Sequence, residues 1–187
     1  NLIHTAKTIM QEFGGKFPDR YPQILSLKGI GRYTAAAIAS FGFGLPHAVV
    51  DGNVIRVLSR LAGIETPVDL PATRKAINEL ADALLDRKNP GTYNQAMMDF
   101  GATVCKPQQP QCTRCPMQEI CVAFRQNKTD RIPAKRARPE KKQRWFFYLL
   151  LESRGRVLVR ERTGSDIWKN LHELVLVESP GELAPKA

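Results

Sequence analysis

Four cysteines fall between positions 105 and 121, spaced Cys105-x6-Cys112-x2-Cys115-x5-Cys121, and the 187-residue chain has no others. Disulfide frameworks scatter their cysteines, whereas four thiols within seventeen residues can close on one centre and bend the loop around it. Zinc sites usually draw two Cys-x2-Cys knuckles from separated loops. One compact loop supplying all four ligands suits a cubane 4Fe–4S cluster better, with zinc and unliganded buried thiols as the alternatives. A cluster with four cysteine ligands keeps no open iron position for a substrate, so its expected role is to shape the loop. Lys106, Gln108 and Arg114 on that loop are placed to reach phosphates.

Charge points the same way. Twenty-eight Lys and Arg against eighteen Asp and Glu leave +10, which predicts a polyanionic partner, either nucleic acid or an anionic membrane surface. Residues 125–144 hold nine basic groups against Asp130 and Glu140, so this short stretch carries +7 of the +10. The longest apolar run, Trp145 to Leu151, is far too short to span a bilayer, and no charged-then-apolar leader opens the chain. A soluble intracellular protein without membrane association is expected. The chain begins at Asn1 inside a helical pattern and ends soon after a strand-like run, as expected of a piece of a longer protein.

With 43% apolar residues the chain can build a core. Up to about residue 125 its periodicity is helical. Leu2, Ala6, Ile9 and Phe13 form one stripe, stopped by Gly14-Gly15. A short helix from Pro22 to Leu27 and an alanine-rich one from Arg32 to Phe41 flank the turn Lys28-Gly29-Ile30-Gly31. Helices are predicted over 53–62, over 71–85 with Asp69 as cap, and over 92–104 with Ala96, Met97, Phe100 and Val104 on one stripe. A further short helix is expected between Cys115 and Cys121. Pro133, Pro139 and the charge run predict a basic linker over 126–143. Strands are expected over 144–152 and 156–161, joined at Ser153-Arg154-Gly155, and over 174–177. Too few strands are present for an independent fold. Trp145 and Trp168 read as core, and His4, His47 and His172 have no partner at metal spacing.

Two stretches carry chemistry. In Leu27-Lys28-Gly29-Ile30-Gly31-Arg32-Tyr33-Thr34-Ala35 two glycines let the backbone approach a phosphate, and the free amides of the following helix can donate to it. Such contacts grip DNA without reading sequence. Any tight helix corner also uses Gly-x-Gly, so the turn alone leaves both readings open. Twenty residues beyond Gly31 comes Ala48-Val49-Val50-Asp51-Gly52-Asn53-Val54. Asp51 before a helix is either a plain N-cap or a partly desolvated carboxylate suited to a developing cation.

Together these residues resemble the helix-hairpin-helix, iron–sulfur DNA glycosylases, and specifically the adenine DNA glycosylase (MutY-type) branch. The resemblance rests on "LKGIGRYTAAAIASFGFG", "AVVDGNVIRVLSRL", "NPGTYNQAMMDFGATVC" and the four-cysteine loop, in that order. It implies a mainly α helix-hairpin-helix glycosylase domain with a 4Fe–4S loop over 1–125, the basic linker, and over 144–187 the start of a small Nudix-like α/β domain. "RWFFYLLLESRGRVLVRERTGSDIWKNL" looks like that domain's opening. The implied ligands are Cys105, Cys112, Cys115 and Cys121. The implied DNA contacts are Lys28, Gly29, Ile30, Gly31, Arg32, Lys106 and Arg114. The related endonuclease III branch carries a lysine nucleophile two residues past the final hairpin glycine, where this chain has Tyr33. A monofunctional glycosylase is therefore expected, with Tyr33 hydrogen-bonding at the site.

The family removes adenine mispaired with 8-oxoguanine or guanine in double-stranded DNA. A glutamic acid protonates the extruded base, an aspartate matching Asp51 stabilises the oxocarbenium-like sugar, and Asn53 orients the site. That glutamic acid lies N-terminal to the hairpin in the family, and nothing before Ile30 resembles its context; Glu12 does not match it. A general acid commonly supplies roughly 100- to 10,000-fold in rate, so the chain alone is expected to be nearly inert. No Nudix glutamate cluster follows residue 144, so no nucleotide hydrolysis is expected. A monomer is expected, located in the cytoplasm or nucleoid if bacterial. The competing readings are a noncatalytic, metal-stapled DNA-binding module and an endonuclease III-like glycosylase/lyase.

Overall fold

The first apolar stripe folds as predicted into α1 (Leu2–Glu12), and Gly14 and Gly15 stop it at φ of 60° and 78°, a region glycine adopts without strain. None of its residues is buried, and Leu2 and Ile3 stand in solvent. The computed structural model describes residues 1–136 and 143–182, divided between two units, Asn1–Ala137 and Arg138–Ala187. Arg138, Glu140, Lys141 and Lys142 of the basic run, and the last five residues of the expected Nudix-like start, lie outside the described residues.

The hairpin is α2 (Tyr21–Ser26) and α3 (Arg32–Ala37), closed around Ile24, Ala35 and Ala39. Small alanines let the two backbones approach. The second helix does not run on to Phe41 as an α-helix; over Ile38–Gly42 it widens into a π-helical turn. Gly42 closes that turn and Gly44 follows at φ 64°.

The main core belongs to α4 (Gly52–Ala62), α5 (Pro71–Leu84) and α6 (Pro90–Thr103). Val54, Ile55, Val57 and Leu58 of α4 pack with Val68, Ile77, Ala81 and Met97. Prolines open α5 and α6, where the missing N–H costs nothing. Two sequence expectations fail here. Asp69 does not cap α5; Leu70 holds that position, and Asp69 pairs instead with Arg136 at 2.5 Å. Ala96 lies on the exposed side of α6, whose buried positions are Pro90, Asn94, Met97 and Gly101.

Past α6 a 3-10 turn spans Cys112–Arg114 and α7 covers Val122–Arg125. Residues 116–120, expected as a short helix, are turns, because the backbone there wraps the cysteines rather than a helical axis. The described part of the expected basic linker has no regular helix or strand. Residues 126–136 form a strap packed on the helical unit: Ile132 is buried, Ala134 O accepts from Val68 N at 3.0 Å, and Lys128 pairs with Glu65. Ile132 supplies the apolar anchor that a charge count overlooks. Among the described residues no helix is long and apolar enough to cross a membrane.

In the second unit β1 (Trp145–Leu149), β2 (Glu152–Ser153), β3 (Arg156–Val157), β4 (Val159–Glu161) and β5 (His172–Ser179) are antiparallel. The expected long strand over 144–152 breaks at Leu150, and β2–β3 is a tight hairpin with Arg154 and Gly155 at φ 51° and 71°. The run expected as a third strand over 174–177 is longer than predicted and becomes the centre of a sheet ordered β1-β5-β4. Trp168 is exposed, contrary to the core reading, and lies 5.7 Å from the Arg162 guanidinium.

Candidate active site and metal centre

Asp51 stands immediately before α4 in extended backbone, half-buried. Its Oδ1 accepts from Val54 N at 2.8 Å, the N-cap bond, and its Oδ2 accepts from Asn53 Nδ2 at 2.8 Å. The plain cap is therefore real, yet each carboxylate oxygen keeps a second acceptor direction. Asn53 is held in turn, its Oδ1 accepting from Arg56 Nη2 at 2.9 Å. Arg56 also donates to Gly101 O at 2.7 Å and to Cys105 O at 2.7 Å, so one guanidinium ties the start of α4 to α6 and to the first cysteine. Burial holds the Arg56 guanidinium below its usual pKa; the neighbouring Cys105 and Asp51 oppose that shift and Arg60 adds to it.

One turn further along α4, Arg60 reaches the cysteine loop. It donates to Lys106 O at 2.7 Å, Pro107 O at 3.2 Å and Ile132 O at 2.8 Å, and lies 3.4 Å from Cys105 Sγ. Arg56 and Arg60 are only 8% and 3% exposed, so their charges are satisfied inside the unit rather than by solvent. Neither arginine stands out as a site residue in the sequence. The available signal is two arginines four apart among Val54, Ile55, Val57, Leu58 and Leu61.

All four cysteines are free and half-buried, and they line one cavity with Arg60, Val104 and Phe124. Burial first, then the neighbouring thiols Cys105 and Cys121, pushes the Cys112 thiol above its usual pKa, and Cys115 is raised by the same causes. Such a set of mutually repelling sulfurs fits a cationic centre, whose binding would displace their protons. The four thiols wall one shared space. Soft sulfur donors around a common cavity fit a polynuclear iron–sulfur group held by Cys105, Cys112, Cys115 and Cys121. Lys106 is half-buried and Arg114 exposed on the same loop.

At the hairpin, Lys28, Gly29, Gly31 and Arg32 are exposed and Ile30 packs inward against Ile24, Ala35 and Ala39. Gly29 has φ 90°, and a Cβ there would come within 2.8 Å of Asn1 Cβ. Its glycine thus serves contact with the start of α1, which Thr5 Oγ1 reinforces by donating to Lys28 O at 2.7 Å. Gly31, by contrast, faces open space beside the uncapped N-terminus of α3. Tyr33 is 49% exposed. It lines a cleft with Tyr21, Arg32, His47, Arg74 and Val50, the residue before Asp51 in the chain, but makes no hydrogen bond to Asp51 among the described residues.

Residues 12–41 match the family model of the helix-hairpin-helix motif. The chain is 32% identical over 171 residues to the adenine DNA glycosylase of Buchnera aphidicola subsp. Acyrthosiphon pisum, covering 91% of this chain and 49% of that protein. The chain belongs to the adenine DNA glycosylase family. It spans about half the length of the Buchnera proteins it matches and 27% or less of the mammalian and plant ones. Among solved structures, a thermostable thymine-DNA glycosylase is similar at a TM-score of 0.62 and 34% identity, over 67% of this chain and 57% of that one. Endonuclease III in a non-covalent DNA complex is similar at a TM-score of 0.54 and 26% identity, over 65% of this chain and 55% of that one. Both carry the helix-hairpin-helix glycosylase fold.

Proposed function

We propose that this adenine DNA glycosylase-family chain serves base-excision repair, hydrolysing the N-glycosidic bond of adenine paired with 8-oxoguanine or guanine in double-stranded DNA. The observation that carries the reading is the Asp51 carboxylate, half-buried at the mouth of α4 and held by one donor on each oxygen. A fixed anion with a lone pair to spare on each oxygen stabilises a sugar whose C1′ becomes cationic as the base departs, and it does so without reorganising at that moment.

The target nucleotide leaves the stack because its glycosidic bond is inaccessible within a duplex. Backbone amides at Gly31 and Arg32, with Lys28, Lys106 and Arg114, hold the flanking phosphates. Gly29 and Ile30 set the turn that presents those amides. A protonated carboxylic acid supplied by the complete protein makes adenine a leaving group, Asp51 stabilises the oxocarbenium-like sugar, and water completes the hydrolysis. Asn53 orients Asp51. Tyr33 offers a phenol where a lyase needs an amine, so the reaction stops at the abasic site. A 4Fe–4S cluster on Cys105, Cys112, Cys115 and Cys121 supplies a structural tie for the 105–121 loop. Residues 144–187 begin the domain that reads 8-oxoguanine. The protein acts as an intracellular monomer, in the cytoplasm or nucleoid if its source is bacterial.

The test is base release by the complete protein its gene encodes. Free adenine from a duplex with adenine opposite 8-oxoguanine, and no borohydride-trapped adduct, is expected. Release of thymine from a guanine mispair in its place would overturn the choice of base, and a trapped adduct would overturn the monofunctional assignment.

A further inference from the structure

The segment from His47 to Asp51 has no regular secondary structure, yet it sets where the Asp51 carboxylate begins its approach to α4. Asn94 of α6, only 2% exposed, reaches across to it. Its Oδ1 accepts from Val49 N at 3.0 Å and its Nδ2 donates to His47 O at 2.9 Å. One amide therefore presents the acceptor and donor that a neighbouring strand would offer. Val49 N–H can only donate, so the orientation of the Asn94 amide follows from chemistry. Among the described residues no other hydrogen bond ties the backbone of 47–50 to a different element.

The far side of the segment is fixed as well, since the His47 ring stacks on Tyr21 of the hairpin at 4.0 Å between centroids. Seven residues along α6, on the same face two turns away, Gly101 O accepts the Arg56 guanidinium that holds Asn53. A single helix thus grips the chain before Asp51 through Asn94 and after it through Gly101.

We propose that Asn94 is a positioning residue for Asp51, acting through the 47–51 backbone; this rests on the glycosylase reading above. Removing its amide strands the buried Val49 N–H and leaves the half-buried His47 carbonyl without its donor. The segment must then shift to hydrate them, and Asp51 shifts with it.

The test uses single-turnover adenine release by the complete protein, with burst amplitude counting active molecules and the rate constant reporting chemistry. Asn94→Ala, and Asn94→Leu which keeps the shape, are expected to slow the rate constant about 100-fold, as a displacement of roughly 1 Å does, with DNA affinity unchanged. A purely structural role would lower the amplitude and leave the rate constant alone, and that result would overturn the proposal. Amide exchange on the unaltered protein needs no variant: Val49 N–H is expected to be protected while Ala48 and Val50 exchange freely, and an unprotected Val49 would also overturn it. An unaltered protein that releases no adenine would instead sink the glycosylase reading, a distinct outcome.

Discussion

Asn53 Nδ2 donates to Asp51 Oδ2 at 2.8 Å, and Arg56 Nη2 grips the opposite end of the same amide at 2.9 Å. Because a guanidinium has no acceptor, Arg56 dictates which end of Asn53 faces the carboxylate. The side chain also satisfies carbonyls of Gly101 and Cys105 in the interior. Arg56→Met is expected to leave these acceptors unpaired, to lower stability by about 3 kcal/mol or more in urea unfolding, and to slow adenine release. Unchanged stability and rate would show that the amide keeps its orientation unaided.

Gly101 is where α6 meets the start of α4. A Cβ there would lie 2.7 Å from Asn53 Cβ and 3.2 Å from the Asn53 backbone. Gly101→Ala must push the first turn of α4 away, costing about 1–3 kcal/mol by thermal unfolding. A substitution without effect on stability would mean that the two helices have slack.

The cysteine loop gives a chemical test. The complete protein should purify brown, with iron and acid-labile sulfide in equal amounts, and Cys112→Ser should lose both. A colourless protein with stoichiometric zinc would contradict the iron–sulfur assignment.

In the second unit Arg144 bridges Asp166 at 2.7 Å and Glu178 at 2.5 Å. The hydrogen bond from Arg144 holds the Asp166 carboxyl down, from 3.8 to about 2. A depressed acid stabilises the fold above its unfolded pKa, and this contribution is lost as pH falls from about 4 toward 2. Carbonyl NMR should find the Asp166 midpoint near 2 and move it back toward 3.8 in Arg144→Met. A midpoint already near 4 would remove the bridge from the account.

Helices, the hairpin and the cysteine loop were legible because each has a local signature: an apolar stripe, a Gly-x-Gly corner, a thiol spacing. What escaped was long-range and polar. Asn94, Arg56 and Arg60 look like ordinary helix residues until their partners, 45 to 72 positions away, come into view. Charge composition alone does not show that 126–136 packs on the helical unit, because the buried Ile132 and the backbone bond to Ala134 that hold it there carry no charge. Asp69 sits two residues before α5, where local sequence suggests a cap, but it pairs with Arg136, distant in sequence.

The most direct measurement is single-turnover adenine release by Asp51→Asn in the complete protein. Asparagine caps a helix about as well as aspartate, so the fold should hold within about 1 kcal/mol. The account predicts normal DNA binding with release slowed by roughly 100- to 1,000-fold or more, because the charge facing the sugar is gone. Release at the unaltered rate would contradict it and leave Asp51 as a helix cap only.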